Sequence, residues 1–449
     1  MIADSVLVNA KAYFKQEIVD CNIAFNEGKI LKIGKEVNMP KADVRTDLKG
    51  QLVLPGLIDV HVHLRDEGKS RKEDFYSGTA AAAAGGFTTV IDMPNNEPVT
   101  MSPRTLHDRM EIAERKVLVN VGFRSEFPNN LKNIEPIVKE GALGFKLFMA
   151  EQIGGLDLGS DEAITDAFKR VAKLGVSVAV HAEDRDTLKH AEDAFKKERR
   201  NDIAAFLKAH SEIVELKAVE RVLNIVRNSG VQLHFCHVTT KEGLEAIVEG
   251  KKSGLTVSCE TTPHNLLLSS DNLRRIGMLC LTMPPVRDKP NIEALWDGLQ
   301  RGSIDMVASD HAPHMLKEKE AESVWDVKVG IPGLETTLPL MLTEVNRGRL
   351  TIGDVVRLMA EKPAELFKLK GKGLLKEGND ADLTVVDLYR KHKIDSSRFL
   401  SKAKYSPFDG REVEGKPMQT YINGQLTMDA GEITAKPGTG TIIRREKAV

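Results

Sequence analysis

The sequence predicts an α/β fold: a closed (β/α)8 TIM-like barrel beside a small β-sandwich domain built from both ends of the chain. Three observations carry this. Between residues 51 and 370, eight apolar runs of strand length alternate with stretches of helical period, and near-continuous apolar strands separated by helices mark a parallel sheet buried on both faces. Eight such units match the number that closes a sheet into a barrel; an open doubly wound sheet is the alternative. At both chain ends the segments are short, alternate apolar with polar residues and break at Gly and Asn, as half-exposed strands do.

Taken in order, residues 1–50 hold strands near 5–8, 22–25 and 29–33, separated by Asn26-Glu27-Gly28 and closed by Lys49-Gly50. The barrel runs are 57–64, 87–93, 117–123, 143–149, 176–182, 231–237, 255–261 and 304–310. Helices are predicted at 74–84, 103–115, 131–140, 161–174, 212–228, 241–252 and 291–299, with two more at 333–347 and 352–367. Gly371-Lys372-Gly373 marks the return to β structure, and residues 371–449 carry strands at 382–387 and 420–426, the latter around an Asn423-Gly424 hairpin signal. Neither end is long enough to bury a core alone, so 1–50 and 371–449 are expected to form one composite domain beside a barrel at 51–370.

Composition narrows the function. Among 449 residues, 64 Lys+Arg stand against 65 Asp+Glu and only 5% are aromatic, which leaves neither an electrostatic footprint nor a stacking platform for nucleic acid. Lys196-Lys197-Glu198-Arg199-Arg200 reads as solvated helix surface. No apolar run approaches the length of a membrane span, and Met1-Ile2-Ala3-Asp4 does not open a signal peptide, so a cytoplasmic protein is expected. Cys21, Cys236, Cys259 and Cys280 are widely separated and read as reduced, small core residues. The expected partner is a small-molecule substrate, with no nucleic acid and no membrane, and with a homo-oligomer allowed.

Reactive groups in such a barrel collect where strand C-termini meet the βα loops. The first run ends in His61-Val62-His63-Leu64-Arg65, the fourth carries Lys146, the fifth ends in His181, the sixth in His237 and the eighth in Asp310. His61 and His63 are two apart, share the interior face and can chelate one metal, although a bare His-x-His is equally a hydrogen-bonded polar pair. His181 or His237 alone would be an ordinary core histidine; equivalent placement at strand ends is what argues for one constellation. His234, three residues before His237, is expected on the opposite face in a structural role, and His107, His190, His210 and His392 are assigned none.

Lys146 lies in Gly144-Phe145-Lys146-Leu147-Phe148-Met149, where a charged ammonium is costly unless paired. Either it meets a barrel carboxylate, or burial favours the neutral amine, which can add carbon dioxide to form a carbamate, an anionic bridge between two metals. Four imidazoles, such a bridge and a carboxylate suit a borderline divalent metal such as zinc, and two ions close together can share one hydrolytic nucleophile. Asp310 is placed to ligate and to move a proton to a leaving nitrogen.

His61-Val62-His63-Leu64-Arg65, Asp92-Met93-Pro94-Asn95-Asn96, Gly144-Phe145-Lys146-Leu147-Phe148, His234-Phe235-Cys236-His237, Thr262-Pro263-His264, Ser309-Asp310-His311-Ala312-Pro313-His314, Ile331-Pro332-Gly333-Leu334-Glu335-Thr336 and Tyr405-Ser406-Pro407-Phe408-Asp409-Gly410 together resemble the cyclic amidohydrolases, and among them the dihydroorotases. The resemblance runs in order over nearly the whole chain. It implies reversible closure of N-carbamoyl-L-aspartate to L-dihydroorotate in pyrimidine synthesis, on a two-zinc centre. His61, His63, Lys146 as the carboxylated bridge, His181, His237 and Asp310 match the family's metal positions, with Asp310 also the acid/base. Arg65 and Asn95 match positions that hold the substrate carboxylate, and His314 a further contact to it.

Two segments depart from that pattern. Met283-Pro284-Pro285-Val286-Arg287 replaces Asn-Pro-Pro-Leu-Arg, so a polar substrate contact is lost or supplied by Arg287, and Thr262-Pro263-His264-Asn265 replaces Thr-Pro-His-His. Gly-Phe-Lys-x-Phe is shared with allantoinases and dihydropyrimidinases or hydantoinases, the alternative activities; Arg65 and the final His314 argue against them. A non-catalytic scaffold is a further alternative, disfavoured because no ligand position is lost. Residues 150–160, with Gly154-Gly155 and Gly159, are expected to form a lid over the barrel mouth.

Overall fold

The computed structural model describes residues 2–445. Eight parallel strands follow one another in chain order around the barrel: Leu57–Val62, Phe87–Asp92, Asn120–Glu126, Gly144–Phe148, Ser177–His181, Gln232–Phe235, Val257–Thr261 and Met306–Val307. Each lies within one of the eight apolar runs or overlaps it. The first and eighth strands close the ring through single contacts rather than a ladder. Val62 bridges His311 in parallel, His63 N donates to the His311 carbonyl at 2.8 Å, and Ser309 N donates to both Asp59 carboxylate oxygens at 3.1 and 3.2 Å.

The outer helices form where the apolar period predicts them and are stopped by identifiable caps. Asp74 accepts from Ser77 N at 2.8 Å to start Phe75–Ala84, and Ser102 caps Pro103–Glu114 with proline in its first turn. Asp161–Leu174 buries Ile164, Ala167, Phe168 and Val171, one stripe at i, i+3, i+4 and i+7, and ends at Gly175 in the left-handed conformation (φ 61°). Phe168 from that stripe stacks on Phe127 with ring centroids 5.8 Å apart. Four helices lie outside the predicted set: Arg185–Lys197, Ile203–Ala209, Pro263–Leu267 and Ser270–Ile276. Lys196 and Lys197 of the charged surface run fall within the first of these.

Strands from both chain ends lie in one sheet. Leu52–Pro55 pairs antiparallel with Leu383–Lys393, Val53 opposite Val385, which joins the N-terminal strands to the C-terminal ones in a single nine-stranded mixed sheet. The sheet curls over its own core: Phe25 and Tyr421, from strands well separated in its order, bring their rings to 5.8 Å. Asn423 and Gly424 both take positive φ (49° and 76°) in the two-residue connection to Gln425–Asp429, as the hairpin signal requires. Within 371–449, Ile442–Ile443 leaves this sheet and pairs with the third barrel strand. All four cysteines are buried and free. Among the described residues no helix is long and apolar enough to cross a membrane.

Candidate active site

Strand alternation sends Asp59, His61 and His63 into the barrel together. Their ring nitrogens are sorted by hydrogen bonds on the outer side. His61 Nδ1 meets Glu260 Oε1 at 2.5 Å, and His63 Nδ1 meets Asn95 Oδ1 at 2.7 Å. With the proton drawn to Nδ1 in each case, the Nε2 lone pairs face inward, and both lie 3.3 Å from Asp310 Oδ1. His61, His63 and Asp310 thus form a buried group with donor atoms within 4.8 Å of one another.

The fifth and sixth strands supply a second pair. His181 donates from Nε2 to Glu183 Oε2 at 2.8 Å, which leaves its Nδ1 as the lone-pair nitrogen, 3.1 Å from His237 Nε2. The His181 and His237 rings stand edge to face at 4.8 Å, and His61 lies 5.3 Å from His237. His237 (φ 32°), Asp310 (φ 45°) and Arg65 (φ 62°) occupy the left-handed region just past their strands. Non-glycine residues hold that conformation at a cost of about 1–3 kcal/mol where the surroundings enforce it, typically at functional sites.

The turn at His237 also corrects the expectation for His234. Both residues serve the interior, because the left-handed step breaks the two-residue alternation after Phe235. His234 Nε2 donates to Glu260 Oε2 at 2.9 Å, so Glu260 ties His234 to His61. His210, assigned no role from the sequence, is buried and donates from Nδ1 to Glu183 Oε1 at 2.7 Å, continuing the line outward from His181.

Lys146 is fully buried. Its Nζ lies 3.0 Å from Cys236 Sγ and 4.9 Å over the Phe148 ring, and among the described residues no carboxylate pairs with it, so the salt-bridge alternative is not what the barrel provides. Glu126, its register neighbour on the third strand, is pushed up to about 8 by burial and so is itself mainly neutral near pH 7.

Above these groups sits a cationic corner. Arg65 is buried with Nε unpartnered, and its Nη2 lies 3.4 Å from His314 Nε2. Lys72 Nζ reaches His314 Nδ1 at 3.0 Å and Glu318 Oε1 at 3.0 Å, and Lys69 Nζ donates to the Asn95 carbonyl at 2.9 Å. Burial, followed by the charges of Arg65, Lys72 and Lys319, holds His314 far below the usual imidazole range. Arg287 is spent elsewhere: it donates to Thr239 Oγ1 at 2.9 Å and to the His210 carbonyl, and lies 3.6 Å from Glu215. Asn265 is buried with both amide atoms unpartnered. The expected lid packs down on the third βα loop: Gly155 N donates to the Phe127 carbonyl at 2.9 Å, and a Cβ on Gly154 would fall 2.2 Å from Glu126 Cγ.

Sequence reasoning passed over Asp59, Glu183, Glu260, Lys72 and His210. The signal for Glu260 was present, since a glutamate in Val257-Ser258-Cys259-Glu260-Thr261 is as anomalous in an apolar strand as Lys146 is in the fourth. Glu183 stands two residues after His181, on the same face of an extended chain. The donor set as a whole fits divalent metal ions: imidazole nitrogens and the Asp310 carboxylate converge on one buried centre, and outward carboxylate or amide partners fix the tautomers of His61, His63 and His181, as metal-binding histidines require.

The sequence profile of the amidohydrolase family matches residues 52–427. The chain is 38% identical over 427 residues to the dihydroorotase of Methanothermobacter thermautotrophicus, covering 95% of this chain and 94% of that one. It is 36% identical over 450 residues to the dihydroorotase of Methanosarcina mazei, covering 98% and 97%. Among solved structures, L-hydantoinase (dihydropyrimidinase) from Arthrobacter aurescens superposes with a TM-score of 0.95 at 34% identity, over 99% of this chain and 100% of that chain.

Proposed function

The chain belongs to the amidohydrolase family, and from that premise we propose that this hydrolase is a dihydroorotase. It interconverts N-carbamoyl-L-aspartate and L-dihydroorotate, taking up one proton and releasing one water on ring closure, in de novo pyrimidine synthesis. One observation carries the substrate choice. Arg65 Nη2 and His314 Nε2 converge at 3.4 Å, and among the described residues no carboxylate pairs with Arg65, although Asp310 is close enough for its charge to act on it. A buried guanidinium without an acid partner suits a substrate carboxylate, which it grips through charge-assisted bonds. The relatives named dihydroorotase support the same reading.

The family is metal-dependent, and His61, His63, His181, His237, Asp310 and a carboxylated Lys146 would hold two zinc ions. Bound there, the metals supply Lewis acidity, activating water and polarising the ring amide at neutral pH. Addition of carbon dioxide to the Lys146 amine, with release of protons, would give the carbamate, which furnishes two oxygens where the chain places a buried amine without a carboxylate partner. Glu260, Asn95 and Glu183 keep the three ligand imidazoles they touch in the tautomer that offers a lone pair inward. Asp310 takes the proton of the attacking water and returns it to the departing ring nitrogen. Arg65 and His314 anchor the substrate carboxylate so that the scissile amide meets that water.

The similarity to L-hydantoinase favours one second reading, hydrolysis of a neutral five- or six-membered cyclic amide. Purified, metal-replete protein assayed on dihydroorotate, carbamoyl aspartate, hydantoin, dihydrouracil and allantoin decides between them. Interconversion of the first two is expected; turnover of a neutral ring with none on dihydroorotate would replace the assignment.

A further inference from the structure

We propose that Lys72 is a positioning residue that sets the tautomer of His314 and thereby makes the corner a carboxylate receptor; this deepens the dihydroorotase reading and rests on it. An ammonium has donors only, and so has a guanidinium. Lys72 Nζ stands 3.0 Å from His314 Nδ1, so that nitrogen must present its lone pair, and the ring proton must sit on Nε2. Arg65 Nη2, 3.4 Å from Nε2, then faces a second donor. The two N–H groups cannot bond each other, and they share one need: an acceptor, best an anionic one, placed between them. The neutral form of His314 that this requires is the one favoured by burial and by the cations Arg65, Lys72 and Lys319 around it.

Lys72 is itself held. It is buried to 7% exposure, and Glu318 Oε1 pairs with it at 3.0 Å while Glu318 Oε2 accepts from Met315 N at 3.0 Å. His314 is fixed from its backbone as well, its N–H donating to the Tyr405 hydroxyl at 3.3 Å. With Lys72 at Nδ1 and the Tyr405 hydroxyl at the backbone N–H, Nε2 is the ring nitrogen that faces Arg65, and the Val329 carbonyl also lies against the ring. Without Lys72 the ring can move its proton to Nδ1, toward Glu318 Oε2 at 3.8 Å. Nε2 would then accept from Arg65, and the corner would satisfy itself internally instead of awaiting a carboxylate.

The test uses the metal-loaded enzyme with selectively 15N-labelled histidine, comparing wild type, K72M and K72R. In wild type the His314 spectrum should show a protonated Nε2 and an unprotonated Nδ1; in K72M the proton should shift toward Nδ1. For dihydroorotate, K72M should raise KM about tenfold or more, the loss of one charge-assisted bond to the carboxylate, with a smaller change in kcat. The ratio of kcat/KM for dihydroorotate over hydantoin should fall with it. K72R, which also carries only donors, should restore the Nε2 tautomer and most of the KM. A wild-type proton on Nδ1, or a K72M enzyme whose KM for dihydroorotate stays within twofold of wild type, overturns the proposal. Failure of the underlying reading shows separately, as a wild-type enzyme inactive on dihydroorotate.

Discussion

Glu260→Gln offers a measurable consequence of how the site is built. Glu260 Oε1 accepts from His61 Nδ1 at 2.5 Å and from His237 N at 3.3 Å, and Oε2 accepts from His234 at 2.9 Å. Glutamine keeps the shape but has one acceptor atom. Two donors converge on the Oε1 position and one on Oε2, so the amide oxygen takes the Oε1 side and the NH2 turns to His234. That ring can respond by moving its proton to Nδ1, where Ser258 Oγ lies at 2.9 Å. The fold therefore survives, and what is lost is the charge behind His61. Replacing a hydrogen bond to a carboxylate by one to an amide removes about 1–1.5 kcal/mol, or roughly a tenfold loss of affinity, within the 10- to 100-fold seen when outer partners of metal ligands are removed. Competition between the apo-protein and a chromophoric zinc chelator reads this directly, with circular dichroism confirming the fold. A zinc Kd within twofold of wild type would show that Glu260 does not tune His61.

Three further outcomes follow from the same structure. Lys146→Ala should reduce bound metal from two ions per chain and abolish activity, with partial recovery on adding short carboxylates that restore the missing oxygens; full activity without them contradicts the carbamate. Arg65→Lys should raise KM for dihydroorotate by about 10- to 100-fold while metal content by elemental analysis stays at the wild-type value, since a point charge does not reproduce the guanidinium fork. Phe168→Ala, at a fully buried position stacked on Phe127, should cost about 3–5 kcal/mol in urea unfolding, whereas a loss under 1 kcal/mol would show that the helix it anchors is not part of the cooperative core.

The barrel is legible because its strands are buried on both faces, which turns each into a short apolar run, and because these runs alternate with helical stretches eight times. The helices that escape notice are short or carry a thin apolar stripe. Arg185–Lys197 buries Leu188 alone, so its apolar stripe is too thin to read. Pro263–Leu267 is only five residues long, though its signals were in place: Thr262 accepts from Asn265 N, with Pro263 opening the first turn. Among site residues, His61, His63, Lys146, His181 and Asp310 stand out because each is a polar anomaly in or at the end of an apolar strand. Glu260 is an anomaly of the same kind, but a carboxylate in a barrel draws attention only once the imidazole it serves is known. Lys72 and Glu318 lie in loops, where charge is ordinary, and only the folded chain brings them to one histidine.

His234 and His237 show why residue spacing alone stops short of the chemistry. A strict two-residue period would leave them on opposite faces; the left-handed turns at Arg65, His237 and Asp310 are how the chain re-aims side chains past the ends of strands whose direction is set by the ladder. Such turns cost energy at three positions, and local sequence offers no glycine or Asn to absorb it. The surroundings hold them instead: Glu260 Oε1 receives His237 N, Ser309 N beside Asp310 is held by Asp59, and the strand carrying Arg65 is pinned through His63 N to the His311 carbonyl. Glu260 reaches His237 from the neighbouring strand, but the contacts at Asp310 and Arg65 join the first strand to the eighth, so those two turns can assume their geometry only after the barrel has closed. The closure between first and eighth strands, made through Asp59, Val62 and His63, is in the same stroke the step that brings Asp310 within 3.3 Å of both His61 and His63.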